Sequence, residues 1–222
     1  MGIAGILRSL PRRLRDTVHQ EGAARLLLRS LVAPVYRRVV LRIAPLEDDF
    51  WEPGERPPGL VARLATEDDI EAIRAIRPHC SARTLQTRLR EGQSCFLAVV
   101  DGEIAAIFWI RTDIADIDYL GLVLHLAEGE MYMYEVFTNP VFRHLQVRRP
   151  VREAKEKWYA ARGFRVQLGY SIAGRKPFGR NDPYLAADVS VLRLGRIRKF
   201  WVRTYGPQAE YWRGRLKELR WA

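Results

Sequence analysis

The sequence predicts a mixed α/β fold, in which helices flank a central sheet and a basic helical extension precedes it. Three observations lead to this prediction. The chain has 222 residues, 48% of them hydrophobic, which is enough for one core and an appendage. After residue 58, apolar runs with strand and helix periods follow one another. Before residue 45, apolar residues recur every three or four positions with arginines between them.

The N-terminal extension, residues 1–44, is predicted to form two basic amphipathic helices. The helical spacing is carried by Leu7, Leu10, Leu14 and Val18, and then by Leu27, Leu31 and Val35. Three roles fit such helices: packing on the main domain, lying on an anionic membrane surface, or binding a protein partner. Composition does not separate these roles, so all three stay open.

Changes in composition divide the rest of the chain. Residues 45–58 are acidic, contain several prolines and have no hydrophobic period, so they are the predicted linker. Residues 59–202 form the predicted main domain. Residues 203–222 form a basic, aromatic C-terminal tail.

The first half of the main domain is predicted to run strand, helix, helix, strand, strand. The elements are a strand at 59–64, helices at 67–77 and 81–91, and hairpin strands at 95–100 and 104–111. Thr66 is a suitable N-cap for the first helix, whose first turn is acidic. Pro78 and Gly92 end the two helices, and Asp101-Gly102 is a two-residue hairpin turn.

The second half continues with a weaker apolar stretch and then a second set of regular elements. They are an apolar stretch at 119–126, a strand at 131–137, a basic helix at 149–162, a strand at 164–172 and a final strand pair at 188–194 and 199–202. Gly163 closes the basic helix.

The net charge of +11 is unevenly distributed. Residues 1–44 carry +7, residues 45–138 carry −10 and residues 139–180 carry +9. The protein is therefore dipolar rather than uniformly basic. A nucleic-acid-binding protein usually adds a recognised motif to its basic surface, and this sequence has no zinc-finger spacing, no RNP-like string and no clear helix-turn-helix. Nucleic acid is therefore not an expected partner.

Localisation follows from what the sequence lacks. No run approaches the roughly 18 to 20 uncharged apolar residues of a membrane-spanning helix, and the N-terminus has no secretory signal pattern. We expect a cytoplasmic protein, peripheral to a membrane if residues 1–44 bind lipid. The two cysteines, Cys80 and Cys95, are expected to be reduced and buried, and no metal site is predicted.

Three segments of the main domain resemble the GNAT N-acetyltransferase superfamily. They are residues 63–70 (RLATEDDI), the hairpin strands around Asp101-Gly102, and the passage 135–143 (EVFTNPVFR). The order of elements across residues 59–202 agrees with that family, and the ending 191–196 (VLRLGR) is similar to the last strands of some bacterial members. The resemblance implies a GNAT-like central sheet. It also implies acyl transfer from acetyl-CoA or another acyl-CoA to an amine on a small molecule or protein.

The resemblance also implies where acyl-CoA would bind. The residues that it places there are Val136, Phe137, Arg143, Gln146, Arg148 and Arg149. In the family, backbone N–H groups entering a helix hold the pyrophosphate, and small residues let the backbone approach it. Gln146 and Arg148 occupy two of those small-residue positions here. We expect Gln146 to crowd the pyrophosphate and to weaken binding, while Arg148 and Arg149 offer charge-assisted bonds to phosphate.

Two residues are the candidates for proton transfer. Glu135, on the predicted fourth strand of the family pattern, is the candidate general base, and its apolar neighbours would raise its pKa. It could instead pair with a nearby arginine. Tyr184, in the irregular stretch after residue 172, is the candidate general acid, or it packs a loop against the core. Glu130 is a weaker candidate base, and no catalytic role is assigned to His125 or His144.

Two functions therefore remain open at this point. The first is an N-acyltransferase, and the acidic half of its domain suits a cationic amine acceptor unless that half is covered by the basic N-terminus. The second is a GNAT-fold protein that has lost catalysis and serves as a binding or scaffold partner. In the second case the contacts would come from the N-terminal helices and from Trp201, Tyr211, Trp212 and Trp221.

Overall fold

The computed structural model describes residues 35–46, 57–172, 185–194, 196–206 and 209–222. The strands are β1 (Tyr36–Pro45), β2 (Leu60–Leu64), β3 (Ser94–Val100), β4 (Glu103–Arg111), β5 (Ile114–Ile117), β6 (Leu122–His125), β7 (Glu130–Thr138), β8 (Val166–Ile172), β9 (Leu185–Leu194), β10 (Ile197–Thr204) and β11 (Arg220–Trp221). The helices are α1 (Ile70–Ile76), α2 (Ala82–Arg90), α3 (Arg148–Ala160) and α4 (Ala209–Arg215). The predicted mixed fold with a central sheet and flanking helices is confirmed.

Eight strands form the main sheet in the order β10-β9-β1-β8-β7-β4-β3-β2. Neighbouring strands are antiparallel except for β7 and β8, which are parallel. A second sheet has three strands in the order β11-β6-β5. A parallel pair requires a crossover, and α3 makes it here.

The elements predicted between residues 59 and 202 are present, with ends shifted by a few residues. The Thr66 N–H donates to the Asp69 carboxylate at 2.9 Å, which fixes the short 3₁₀ turn before α1. Ser81 caps α2 by accepting from the Thr84 N–H at 3.1 Å. The hairpin turn is also as predicted, because Asp101 (φ 49°) and Gly102 (φ 86°) both lie in the left-handed region that a two-residue turn requires.

The predicted helical extension at residues 1–44 is wrong over residues 36–44, which lie in strand β1. Val39, Leu41 and Ile43 alternate along β1 and are 0%, 3% and 7% exposed. β1 lies between β8 and β9 and pairs with both. This two-residue period, with β-branched residues, is that of a strand buried on one face. Residues 1–34, and residues 47–56 of the predicted linker, lie outside the described residues.

The C-terminal stretch is not a separate tail. After β10 it forms α4, a 3₁₀ turn at Leu216–Glu218 and β11, which pairs with β6. Trp212, Leu216 and Leu219 are each 1% exposed and pack in the core beside β1, β6 and β9. Burial of a tryptophan and two leucines stabilises this docking by several kcal/mol in order of magnitude.

The core occupies both faces of the main sheet. On one face, α3 packs Val151 and Tyr159 against Phe96 and Phe108. On the other face, α1 and α2 cover the end near β3 and β4, and the C-terminal residues cover the end near β1 and β9. None of the helices in the described ranges has the length and apolar character needed to cross a membrane.

Candidate functional site

The parallel pair β7 and β8 separates after three residues. Glu130 to Tyr132 pair with Val166 to Leu168, but β7 continues to Thr138 and β8 to Ile172. Beyond Tyr132, β8 follows β1, with which it pairs as far as Ile172, while β7 follows β4. We call the gap that opens between β7 and β8 the wedge. At its closed end Gly169 faces the Met133 carbonyl, and a Cβ on Gly169 would lie 3.4 Å from that oxygen.

A β-bulge lies in β7 next to the closed end of the wedge. Ile110 of β4 pairs with Met133 and Trp109 pairs with Glu135, so Tyr134 is the extra residue. Bulges redirect side chains and are common beside active sites. Here the bulge leaves Met133 and Val136 packed on the α3 face, and Tyr134 and Phe137 packed on the α1 and α2 face.

Glu135 is held by two arginines. Its Oε1 accepts from Arg77, which follows α1, and its Oε2 accepts from Arg88 of α2 at 2.8 Å. Burial would raise the pKa of Glu135, but the hydrogen bonds and charges of Arg88 and Arg77 outweigh it and lower the pKa. The carboxylate is therefore a stable anion in this state. Its predicted role as general base stays a prediction, and its pairing with arginine, the alternative that the sequence left open, is present.

The passage from β7 into α3 carries the predicted coenzyme residues. Gln146 is exposed and has φ 49°, in the left-handed region where a glycine is favoured. It is also the position where the family resemblance expects glycine. The N–H of Arg149 already donates to the Gln146 carbonyl at 3.2 Å, and Pro150 has no N–H. The start of α3 therefore presents fewer backbone donors to an anion than a usual helix N-terminus.

Positive side chains partly replace those donors. The Arg148 guanidinium lies 5.8 Å from the centre of the Phe108 ring. Burial of its head group and the nearby charge of Arg42 lower the pKa of Arg148, although the residue as a whole is exposed. Two guanidiniums that repel each other are stabilised by an anion placed between them. Arg143 is exposed, and Arg149 is paired with Glu153 at 2.8 Å.

A polar cavity of about 190 Å³ lies on the opposite face of the sheet. Its lining comes from α2, β4, β5, β7 and the turns beside them. The lining residues are Arg88, Gln93, Arg111, Asp116, Asp118, Tyr132 and Tyr134. Because Tyr132 is the last residue of β7 that pairs with β8, the cavity adjoins the closed end of the wedge. Because Arg88 holds Glu135, the cavity is also linked to that carboxylate.

Several candidates have other roles or lie outside the described residues. Glu130 is buried, where it accepts from the Ala127 N–H at 2.9 Å and pairs with Arg215 at 2.7 Å, so it fixes the start of β7 to the C-terminal segment. His125 and His144 are exposed. Tyr184 lies outside the described residues.

Both cysteines are free thiols, as expected, although Cys80 is only partly buried. Burial raises the pKa of Cys95. His79, Cys80 and Glu135 place one ligand atom each within 4.8 Å of one another. The two guanidiniums on Glu135 oppose a metal cation at that point.

Arg42, Arg77, Arg88, Asp116 and Asp118 are among the candidate site residues that the sequence did not indicate. Arg42 was assigned to a helix, and the other four stand in no motif. A period-two pattern over residues 38–43 was the one available signal, since it would have placed Arg42 on a strand.

No family model matches the sequence, and no curated protein matches it. Solved structures are similar over part of the chain. A conserved protein of unknown function from Staphylococcus epidermidis is 9% identical, with 67% of this chain and 57% of that chain covered and a TM-score of 0.42. A GCN5-related N-acetyltransferase from Sphaerobacter thermophilus is 18% identical, with 66% and 47% covered and a TM-score of 0.44.

An acetyltransferase of the GNAT family from Novosphingobium aromaticivorans is 21% identical, with 64% of this chain and 55% of that chain covered and a TM-score of 0.42. This chain thus spans about half the length of these three structures. At these identities and TM-scores, no residue role passes from them to this chain.

Proposed function

We propose that this protein is an N-acyltransferase that moves an acyl group from acyl-CoA, or another acyl thioester, to an amine. The wedge between β7 and β8 is the observation that carries the proposal. It is bounded by strand edges that have no strand partner beyond Tyr132 and Leu168 in the described part of the chain. Backbone N–H groups on such an edge are free to bind a thioester carbonyl in place of a neighbouring strand.

The two faces beside the wedge differ in charge, which suits the two substrates of such a reaction. On the α3 face, Arg42 and Arg148 favour the phosphates of coenzyme A. On the other face, the polar cavity carries Asp116 and Asp118, which favour an amine, beside Arg88 and Arg111, which are ion-paired with Glu135 and Asp113. An extended acyl-pantetheine chain lying in the wedge would join these faces.

The reaction requires one bond to form, one to break and one proton to leave the amine. The amine nitrogen attacks the thioester carbonyl carbon, the C–S bond breaks, and coenzyme A leaves as a thiolate that takes up a proton to become the thiol. Glu135 is proposed to accept the proton from the amine, directly or through water. Because its arginine contacts lower its pKa, it acts as a base only if Arg77 or Arg88 moves away when substrates bind. Tyr184 stays the candidate acid.

A second function, binding without catalysis, is favoured by one observation. The residue with left-handed backbone geometry at the start of α3 is Gln146 rather than a glycine, and Pro150 removes one backbone N–H donor from that turn. A protein that had lost coenzyme binding would accumulate such changes. The two functions differ in one measurable property, the affinity for acyl-CoA.

Calorimetric titration of the whole protein with coenzyme A, acetyl-CoA and longer acyl-CoAs tests the proposal. We expect weak binding, strengthened by Gln146→Gly and weakened about tenfold by Arg148→Ala, the scale of one charge-assisted contact. Arg162→Ala is the matched control, because Arg162 is exposed beyond the far end of α3 and stacks on Trp158. Absence of binding by both the wild type and Gln146→Gly would favour the second function.

Turnover is measured by release of the coenzyme A thiol with a panel of amines. Glu135→Gln is expected to lower kcat by roughly 10²-fold, the lower end of the range for a lost general base. An unchanged pH–rate profile in a folded Glu135→Gln variant would remove Glu135 from the mechanism.

A further inference from the structure

The hairpin of β9 and β10 lies at one edge of the main sheet and exposes apolar side chains. Leu194 and Ile197, which pair across its turn and which we call the apolar tip, are 57% and 50% exposed. Trp201 of β10 is 48% exposed, and its ring lies 6.1 Å from that of Tyr36 at the start of β1. Of the nine large hydrophobic residues that are exposed in the described part of the chain, these four and Val35 lie at this edge. The apolar exposure is therefore concentrated rather than scattered.

No described element covers this face of the hairpin. Val191 of β9 and Phe200 of β10 are paired and belong to the core beside the C-terminal segment. Because side chains alternate along a strand, the apolar tip and Trp201 lie on the opposite face. Helix α3 packs on the main sheet elsewhere, and the hydrophobic cluster beneath it contains no residue of β9 or β10. An open apolar surface of this kind indicates contact with something outside the domain.

The surroundings of the apolar tip are strongly basic. Residues 189–206 contain five Lys or Arg and no Asp or Glu, and residues 35–46 contain three Arg and no acidic residue. Asp188, just before this stretch, is already paired with Arg38 at 2.5 Å. The exposed basic residues beside the tip are Arg196, Arg198 and Lys199. An apolar tip with a positive rim suits an anionic partner.

The aliphatic character of the tip favours a lipid surface over the other anionic partners. The two aliphatic side chains have no aromatic face on which a nucleic-acid base could stack, and they gain most where hydrocarbon is available. A second copy adding its β10 to this edge would bring Arg198 and Lys199 of both copies together, and charged residues on an edge strand oppose such pairing. Trp201 and Tyr36 suit the headgroup level of a bilayer, where amphipathic rings are favoured.

The N-terminal segment joins the sheet at this same edge. The Val35 carbonyl accepts from the N–H of Arg193 at 2.7 Å, one residue before the apolar tip. Residues 1–34 carry six arginines, and their leucines have helical spacing. A basic amphipathic segment that continues from this point can reach the same lipid surface as the hairpin. Together they supply the apolar and the electrostatic contributions on which interfacial binding depends.

We infer that the β9–β10 hairpin is a membrane-docking surface, which places its apolar tip in the headgroup region of an anionic bilayer. The basic residues beside the tip bind the lipid phosphates, and Trp201 lies at the level of the headgroups. Two aliphatic side chains bind a bilayer only weakly, so residues 1–34 are expected to bind the same surface and neither part to suffice by itself. The inference goes beyond acyl transfer and does not depend on it.

Co-sedimentation of the full chain with vesicles tests the inference. Vesicles of phosphatidylcholine alone are compared with vesicles of equal parts of phosphatidylcholine and phosphatidylglycerol, and only the anionic vesicles are expected to bind the protein. Leu194→Ser combined with Ile197→Ser should weaken this binding about tenfold or more, because the contact with hydrocarbon is lost. Arg196→Gln combined with Lys199→Gln should also weaken it about tenfold or more, and added salt should reduce the binding of the wild type.

Matched control variants change exposed residues elsewhere in the chain. Val61→Ser removes an aliphatic side chain that is 55% exposed on β2, at the opposite edge of the main sheet. Arg83→Gln removes an exposed charge from α2. Both should leave vesicle binding unchanged. All of these positions are exposed, so every variant should melt close to the wild type.

Three outcomes would overturn the inference. The first is equal binding to neutral and anionic vesicles, or no binding to either, and the second is unchanged vesicle binding by the folded Leu194→Ser, Ile197→Ser variant. The third is a different occupant of this surface. A lipid-free dimer that dissociates in that variant would identify a second copy, and duplex DNA bound more tightly than anionic vesicles, through Arg196 and Lys199, would identify nucleic acid.

Discussion

Replacing Glu135 by glutamine tests whether the ion pairs of Glu135 with Arg77 and Arg88 stabilise the candidate site. The side chains of Glu135, Arg77 and Arg88 are only 19%, 19% and 22% exposed. Glu135→Gln keeps the shape of the side chain but removes its charge. It also turns one acceptor oxygen into an NH₂ group that faces a guanidinium. Among the described residues, neither arginine would then have a counter-ion at short range.

The expected cost follows from these contacts. Hydrogen bonds to charged groups contribute about 1.5–3 kcal/mol, and removal of one partner from a fully buried ion pair costs about 3–5 kcal/mol. The residual exposure and the remaining amide oxygen reduce the loss, so we expect destabilisation of about 3 kcal/mol. For a chain of this size that corresponds to a Tm lower by roughly 6–12 °C.

The pH dependence distinguishes a charge effect from a packing effect. The pKa of Glu135 is lowered from its ordinary value of 4.5, so the stability that it contributes is fully present above pH 4.5. It is lost as the pH falls through the lowered pKa. The difference between the wild type and Glu135→Gln should therefore be complete at pH 7 and shrink as the pH falls well below 4.5.

Urea unfolding at pH 7 and at acidic pH measures this difference. Glu103→Gln is the control, because Glu103 is exposed at the start of β4, and it should change stability by less than about 0.5 kcal/mol. Combining Glu135→Gln with Arg88→Met should give a coupling energy of about 0.5–3 kcal/mol. A Glu135→Gln protein that melts within 1 °C of the wild type would refute this account of the arginine contacts.

Three further predictions concern other parts of the fold. Lys155 is 1% exposed, and burial lowers its pKa to about 8. The stability of the wild type should therefore rise between about pH 8 and 10, because the folded protein loses the Lys155 proton before the unfolded chain does. Lys155→Met should raise the free energy of unfolding at pH 7 by about 1–3 kcal/mol and should remove that pH-dependent rise. Urea unfolding measures both effects. Trp212→Ala should lower the free energy of unfolding, measured by chemical denaturation, by about 3–5 kcal/mol. Arg213→Ala, at the exposed neighbouring residue, should lower it by less than about 0.5 kcal/mol. Deleting residues 1–34 should leave a cooperative thermal melt, whereas deleting residues 1–44 should abolish it because strand β1 is lost. Membrane binding, one of the three roles left open for the N-terminal extension, predicts that only the full chain co-sediments with anionic vesicles. Equal sedimentation of the full chain and the chain without residues 1–34 would contradict that role.

Local patterns predicted most of the elements between residues 59 and 202 because each has its own stop signal or turn. Thr66, Ser81, Gly92 and Gly163 end or begin helices by chemistry that acts within four residues. The hairpin turn at Asp101-Gly102 works in the same way. Such signals do not depend on the rest of the fold, so a single sequence is enough to place them.

Strand β1 and the C-terminal segment could not be placed in this way. Val35 continues the helical spacing of Leu27 and Leu31, while Val39, Leu41 and Ile43 begin a period of two. Residues 36–44 adopt the two-residue period of a strand because they pair with β8 and β9, which lie more than 120 residues further along the chain. The basic, aromatic composition of residues 203–222 gave no sign that Trp212 is buried, since most of its neighbours in the core lie on strands β1, β6 and β9, outside the C-terminal segment.

The candidate site likewise combines residues that the sequence predicted with residues that it did not. Glu135, Gln146 and Arg148 were predicted because they stand in one continuous passage that resembles a family pattern. The polar cavity was not, because its lining spans residues 88 to 134 and depends on the bulge at Tyr134. If β7 instead paired regularly with β4 through Tyr134, the side chains of β7 beyond it would exchange faces, and Glu135 would no longer reach Arg77 and Arg88 on the α1 and α2 face. The carboxylate that the sequence singles out thus depends on a backbone irregularity that no pattern of residue types displays.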